Sequence, residues 1–132
     1  MKKIIRNLGG VLSLTLFLFL CSCQGENGSQ PSSKLTLLFG HPQDTAAFEK
    51  YYTGKHLPLA SRITGVTRME LTKFQGSPDG GKPSYYRMAE LFFASDADMK
   101  KSMDSPEGKI ATADLRNFAT GGVTMIVGVV TH

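Results

Sequence analysis

His56 lies in the stretch FEKYYTGKHLPLA, residues 48–60, with two adjacent tyrosines ahead of it and Leu57-Pro58 behind. Imidazole ordinarily gains and loses its proton near neutrality, which suits it to general acid or base work. The same position also admits a structural role, closing the C-terminal end of a helix where a proton complements the helix dipole. If the helix reaches His56, then Phe48, Tyr52 and His56 follow one another at four-residue steps along one face, with the imidazole at the edge of the apolar stripe. Glu90 is the second candidate, a carboxylate in YYRMAELFF that shares its alternation with Tyr86, Met88 and Phe92. Acids are seldom buried unless paired, so Glu90 is either an ion-pair partner of Arg68 or Arg87 or a cavity-lining acid. The doublets Tyr51-Tyr52 and Tyr85-Tyr86 either pack half-buried with wet hydroxyls or orient an aromatic ligand. The candidate catalytic residues are therefore His56 and Glu90, and the candidate substrate-binding residues are Tyr52, Arg68 and Tyr86.

Other chemistries find little support. His41, His56 and His132 are scattered, and both cysteines, Cys21 and Cys23, stand near the N-terminus, so no metal site is expected. Gly80-Gly81 has the character of a turn and Gly121-Gly122 that of a helix stop, neither of which cradles a phosphate, so no cofactor is expected. No Ser-His-Asp pattern is defensible from spacing alone.

The first residues differ in kind from the rest. A basic stretch with Lys2, Lys3 and Arg6 precedes the uncharged apolar run VLSLTLFLFL, the pattern of a signal peptide and too short to span a bilayer. Leu20-Cys21-Ser22-Cys23 resembles the lipobox of bacterial lipoproteins, with Cys23 as the acylated residue and residues 1–22 as the leader. Localisation to the bacterial cell envelope follows, lipid-anchored, with the outer membrane favoured by Gln24 after the cysteine. The leader holds three of the fifteen basic residues and none of the eleven acidic ones, so twelve face eleven in the remainder, a net +1. Without a basic cluster interleaved with aromatics, nucleic-acid binding has no basis, and membrane contact is left to the lipid. Residues 23–33 then read as the acylated cysteine and a polar tether, and residues 34–132 as one small domain.

The domain must position the candidate residues with few elements. LTLLF, residues 35–39, predicts a strand, and Asp44 caps a helix whose apolar positions include Phe48, Tyr51 and Tyr52. Gly54 weakens that helix by about 1 kcal/mol relative to alanine, and Pro58 pushes Leu57 away from helical geometry, so regular turns should end near His56. Two further strands, VTRMELTKF and YYRMAELFF, flank the turn-rich residues 75–84 as a hairpin. Ser95 opens a second helical region, interrupted at Ser105-Pro106 and resumed through Ile110, Ala113, Leu115 and Phe118. VTMIVGVVT closes the chain as an apolar strand of the kind buried on both faces. The order βαββαβ is that of a ferredoxin-like α+β fold, a four-stranded antiparallel sheet with both helices on one face. The uncovered sheet face needs a cover, which predicts a homodimer.

FEKYYTGKHLPLA, YYRMAELFF and SPEGKIATADLRNFATGGV together resemble the EthD family of small dimeric α+β barrels, in the right order over nearly all of residues 35–130. The resemblance implies two sheets enclosing a cavity, with a histidine after the first helix at the place of His56. Related dimeric α+β barrels include cofactor-free oxygenases, isomerases, cyclases and decarboxylases of aromatic or polyketide-like compounds, and EthD members are often labelled reductases. The implied activity is oxidoreductase-like, on a small hydrophobic or aromatic compound with His56 as acid or base at the mouth of the dimer cavity. The competing expectation is a non-catalytic lipoprotein that binds a hydrophobic ligand or serves as a structural dimer.

Overall fold

The computed structural model describes residues 32–131. The leader and the acylation expected at Cys23 lie outside the described residues. Ser33, grouped with the tether by its polarity, is the buried first residue of β1.

The elements follow the order β1 (Ser33–Phe39), α1 (Thr45–Tyr51), a π-helical turn (Tyr52–His56), α2 (Leu57–Ala60), β2 (Val66–Lys73), β3 (Arg87–Phe93), α3 (Asp96–Asp104), α4 (Pro106–Asp114), a 3₁₀ turn (Leu115–Asn117) and β4 (Val123–Val129). The strands form one antiparallel sheet in the order β2-β3-β1-β4, the ferredoxin-like arrangement that the pattern predicts. Three polar side chains start the helices: Asp44 accepts from the Ala47 amide at 2.9 Å, Ser95 from Asp98 at 3.1 Å and Ser105 from Gly108 at 3.1 Å. Ser105 with Pro106 also makes the break expected between α3 and α4.

Register decides which residues face the helices. Leu35 pairs with Leu91 and Val127, and Leu37 with Ala89 and Met125, which places the odd-numbered positions of β1, β3 and β4 on the helix side. Phe39 is fully buried there and meets Phe48 at 5.7 Å and Tyr52 at 5.6 Å between ring centroids, while Phe48 meets Phe118 at 5.2 Å. These rings hold α1, α4 and the sheet together, and losing one to alanine costs about 3–5 kcal/mol.

Two expectations are corrected. The helix does not end at His56: Leu57 keeps helical angles (φ −59°, ψ −41°) and its amide donates to the Tyr52 carbonyl five residues back. Pro58 lacks an N–H and its ring crowds the carbonyl four residues earlier, and the wide π-turn just ahead of it opens the helix enough to let the chain continue. Nor is β4 buried on both faces. It is an edge strand, with Met125, Ile126, Val127 and Val129 between 41% and 57% exposed, because β1 is its sole neighbour in the sheet. Its apolar composition answers to a cover that a single chain does not supply.

Where the chain leaves β1 and where it enters β4 it passes close to itself. A Cβ on Gly40 would overlap the Gly121 carbonyl, and Gly122 takes φ +85°, so both glycine sites are set by geometry beyond a simple helix stop. On the other side of the helix layer, Glu49 of α1 binds Arg87 through Nε at 3.0 Å and Nη2 at 2.9 Å and accepts from the Tyr86 hydroxyl at 2.7 Å. Lys73 of β2 stands 3.4 Å away. The bidentate bond from Arg87 does most to hold the Glu49 carboxyl down at about 2, against the opposing effect of burial.

A carboxyl whose folded value lies below its ordinary 4.5 stabilises the fold above that pH and loses the contribution as pH falls toward about 2. Glu49→Gln should therefore lower Tm at neutral pH by roughly 5–10 °C, as expected for about 1–2 kcal/mol in a domain of this size. Thermal melts at stepped pH check this: the gap between wild type and variant should close across that acidic window, and a gap that stays constant would refute the latch.

Candidate active site

The π-turn sets the direction of the imidazole. Four residues overshoot one 3.6-residue α-turn, whereas the wider π-turn undershoots, so the drift from Phe48 to Tyr52 is reversed from Tyr52 to His56. All three side chains end up buried on one face, at 2%, 1% and 5% exposure. His56 is sandwiched between Tyr52 at 5.7 Å and Phe118 at 4.6 Å.

Asp114, the last residue of α4, meets His56 in this apolar setting. Its Oδ2 lies 2.9 Å from His56 Nδ1, and its Oδ1 accepts from the Tyr51 hydroxyl at 2.8 Å and from Asn117 Nδ2 at 2.9 Å. Burial pushes the carboxyl upward, but the hydrogen bonds from Asn117, His56 and Tyr51 outweigh it and leave the group below its ordinary value. An ionised Asp114 makes Nδ1–H the donor and leaves Nε2 as the ring nitrogen able to exchange a proton with a ligand. A carboxylate, an imidazole it orients and a free ring nitrogen form the arrangement needed to move a proton.

The cavity beside this pair is small. About 30 Å³ lies between the helices and the sheet, walled by His56, Tyr52 and apolar side chains that include Leu37, Ala89 and Met69. Tyr52 lines the cavity as well, and among the described residues its buried hydroxyl has no hydrogen-bond partner. Burial raises its proton affinity to about 12, and Arg87, 4.8 Å above the ring, opposes the shift. Among the described residues no group of three or more His, Cys, Asp or Glu side chains is placed to hold a metal ion.

The structure brings His56 and Tyr52 together and separates the other sequence-derived candidates from them. Glu90 faces the opposite side of the sheet and pairs with Lys34 at 2.7 Å, in place of the Arg68 or Arg87 partner expected from sequence. Arg68, on that same side, lies 3.8 Å over the Phe92 ring and binds Glu70. Alternation along β2 and β3 enforces this, since a residue one step from the cavity face points away from it. Tyr86 leaves the face of Met88, Glu90 and Phe92 just before β3 begins, packs on Phe48 and gives its hydroxyl to Glu49. His56 stands inside one protomer between helix and sheet and away from the open sheet face, which corrects its expected place at the mouth of a cavity between two sheets. Sequence reasoning missed Asp114, although a signal existed. Ala111, Leu115 and Phe118 form the buried stripe of the last helical region, while Ile110 and Ala113 are exposed, and Asp114 is an acid within that stripe.

The sequence matches the EthD domain over residues 40–122, a span containing both His56 and Asp114. The chain belongs to the EthD family. An uncharacterized 11.0 kDa protein from the thcB-thcC intergenic region of Rhodococcus erythropolis is 45% identical over 93 residues, covering 70% of this chain and 89% of that protein. The crystal structure of an EthD family protein from Bacillus halodurans superposes with a TM-score of 0.70 at 32% identity, covering 74% of this chain and 96% of the other. Two more distant structures share the fold. A hydroxynitrile lyase from Passiflora edulis has TM-score 0.62 at 10% identity, covering 78% and 95% of the two chains. A dimeric ferredoxin-like protein from Thermobifida fusca has TM-score 0.59 at 12%, covering 77% and 93%.

Proposed function

We propose that this EthD-family protein is an enzyme that transfers a proton to or from a small hydrophobic compound at Nε2 of His56, with Asp114 holding the imidazole. The 2.9 Å contact between His56 Nδ1 and a buried, multiply hydrogen-bonded Asp114 carries this reading. A helix-capping histidine has no need of a buried carboxylate, and the His56 side chain makes no capping bond here. As base, Nε2 takes a proton from an acidic C–H or O–H of the substrate and the electron pair stays on the substrate; as acid, it returns the proton. The oxidoreductase expectation is the finer form of this proposal and rests on the family resemblance. That a fold neighbour is named a hydroxynitrile lyase fits acid/base chemistry on this scaffold.

The functional unit in this proposal is a homodimer. Leu38, Met88 and Ile126 interleave with ion pairs on the sheet face away from the helices, and Ile126 is 49% exposed there. A second copy packed there would bury them, consistent with a fold neighbour described as dimeric. Attachment to the bacterial envelope through acylated Cys23 completes the proposal and rests on the Leu20–Cys23 pattern. The non-catalytic reading, a lipoprotein that binds a hydrophobic ligand, makes the opposite prediction for His56.

His56→Gln should lower turnover roughly a hundredfold or more, a loss out of proportion to the fall in Tm expected when a neutral amide is the donor left to Asp114 there. Asp114→Asn should reduce turnover and also stability, by about 1–3 kcal/mol, because three donors lose a charged acceptor. Full activity in His56→Gln would leave the pair as packing. Sedimentation of the protein lacking residues 1–22 should give a dimer at micromolar concentration, and a compact monomer would refute the paired sheets. In cells, Cys23→Ser should release the protein from the membrane pellet, and retention there would exclude lipid anchoring at that residue.

A further inference from the structure

Resting on the proton-transfer reading of His56, the structure also points to the route and shape of the compound. A groove of about 790 Å³ runs between β4 and the pair α3 and α4, on the helix side of the sheet. That volume falls within the range of pockets that hold drug-sized ligands, whereas the 30 Å³ beside His56 holds about one small group. The two spaces share four wall residues: Leu35, Met103, Thr112 and Met125. Methionine is unbranched and adapts its shape readily, so Met103 and Met125 are a movable partition between groove and cavity.

We propose that the groove is the outer compartment of the active site, and that its occupant is an elongated apolar molecule ending in a single hydroxyl or carbonyl oxygen. The apolar body lies along Met99, Val127 and Ala113, and the oxygen passes between Met103 and Met125 into the small cavity. Two observations select that end group. The space beside His56, about 30 Å³, suits one small polar group. The cavity wall also carries the His56 imidazole, whose Nδ1 is engaged by Asp114 and whose Nε2 is left to bond an oxygen. The groove lies on the opposite side of the sheet from the face assigned to a second copy, so dimerisation leaves it open.

Methyl-labelled methionine gives a direct test, because Met88 is on the far side of the sheet and serves as an internal control. Titrating 1-octanol into the protein should shift the Met103 and Met125 methyl resonances saturably and leave Met88 in place. 1-Butanol should require at least tenfold more to reach the same shift. Shifts confined to Met88, or none at all, overturn the route. 1-Chlorooctane, which keeps the chain and lacks the hydroxyl, should need several-fold more to reach the same shift, and equal affinity would overturn the oxygen-terminated end group. The readout is binding, so it stands apart from turnover: an inactive protein with shifted gate methionines contradicts the acid/base reading alone, and an active one without them contradicts the route alone.

Discussion

A buried carboxylate has to be satisfied on every side, and Asp114 imposes that constraint on the whole helix layer. It sits among Phe118, Leu115 and Tyr51, where an unpaired charge would be expelled or neutralised. The three donors that retain it come from three places: Tyr51 at the end of α1, His56 in the π-turn and Asn117 in the 3₁₀ turn after α4. Meeting all three fixes how α1 lies against α4. The aromatic stack below then follows, since Tyr52 and Phe118 must flank the imidazole wherever Asp114 holds it.

The π-turn belongs to the same constraint. A regular α-helix would carry His56 round past Tyr52 and would meet the ring of Pro58 with its own carbonyls. The wider turn relieves the proline and keeps the histidine in line with Phe48 and Tyr52. One local irregularity thus serves packing and the site together, in keeping with the tendency of π-turns to occur where side chains must be aimed. On the opposite side of the helix layer the Glu49–Arg87 pair fastens α1 to β3, and the guanidinium also covers the Tyr52 ring. The face that carries His56 is therefore held at both ends by hydrogen bonds to carboxylates, with the apolar cavity between them.

The two sides of the sheet divide the work. The helix side holds the small cavity, its methionine partition and the groove, and every polar group in that cavity wall comes from a helix. The other side mixes Lys34–Glu90 and Arg68–Glu70 pairs with Leu38, Met88 and Ile126, a composition suited to association. A single residue step along a strand moves a side chain from one side to the other, which is why Glu90 cannot share the site with His56.

The element order, the helix starts at Asp44 and Ser95, the break at Ser105-Pro106 and the four-residue spacing of Phe48, Tyr52 and His56 were all legible in the sequence, because each depends on neighbours close in the chain. The EthD kinship was legible for the same reason, carried by contiguous motifs. What lay beyond the sequence were contacts between distant residues. Asp114 is 58 positions from His56, and its presence in an apolar stripe was a signal that gained meaning once the two helices were packed together. The partner of Glu90 depended on strand register, and the exposure of β4 on its place at the sheet edge. Persistence of the helix through Leu57-Pro58 required a change of helix type, which local preferences argue against and tertiary packing of His56 on Asp114 and Phe118 makes favourable.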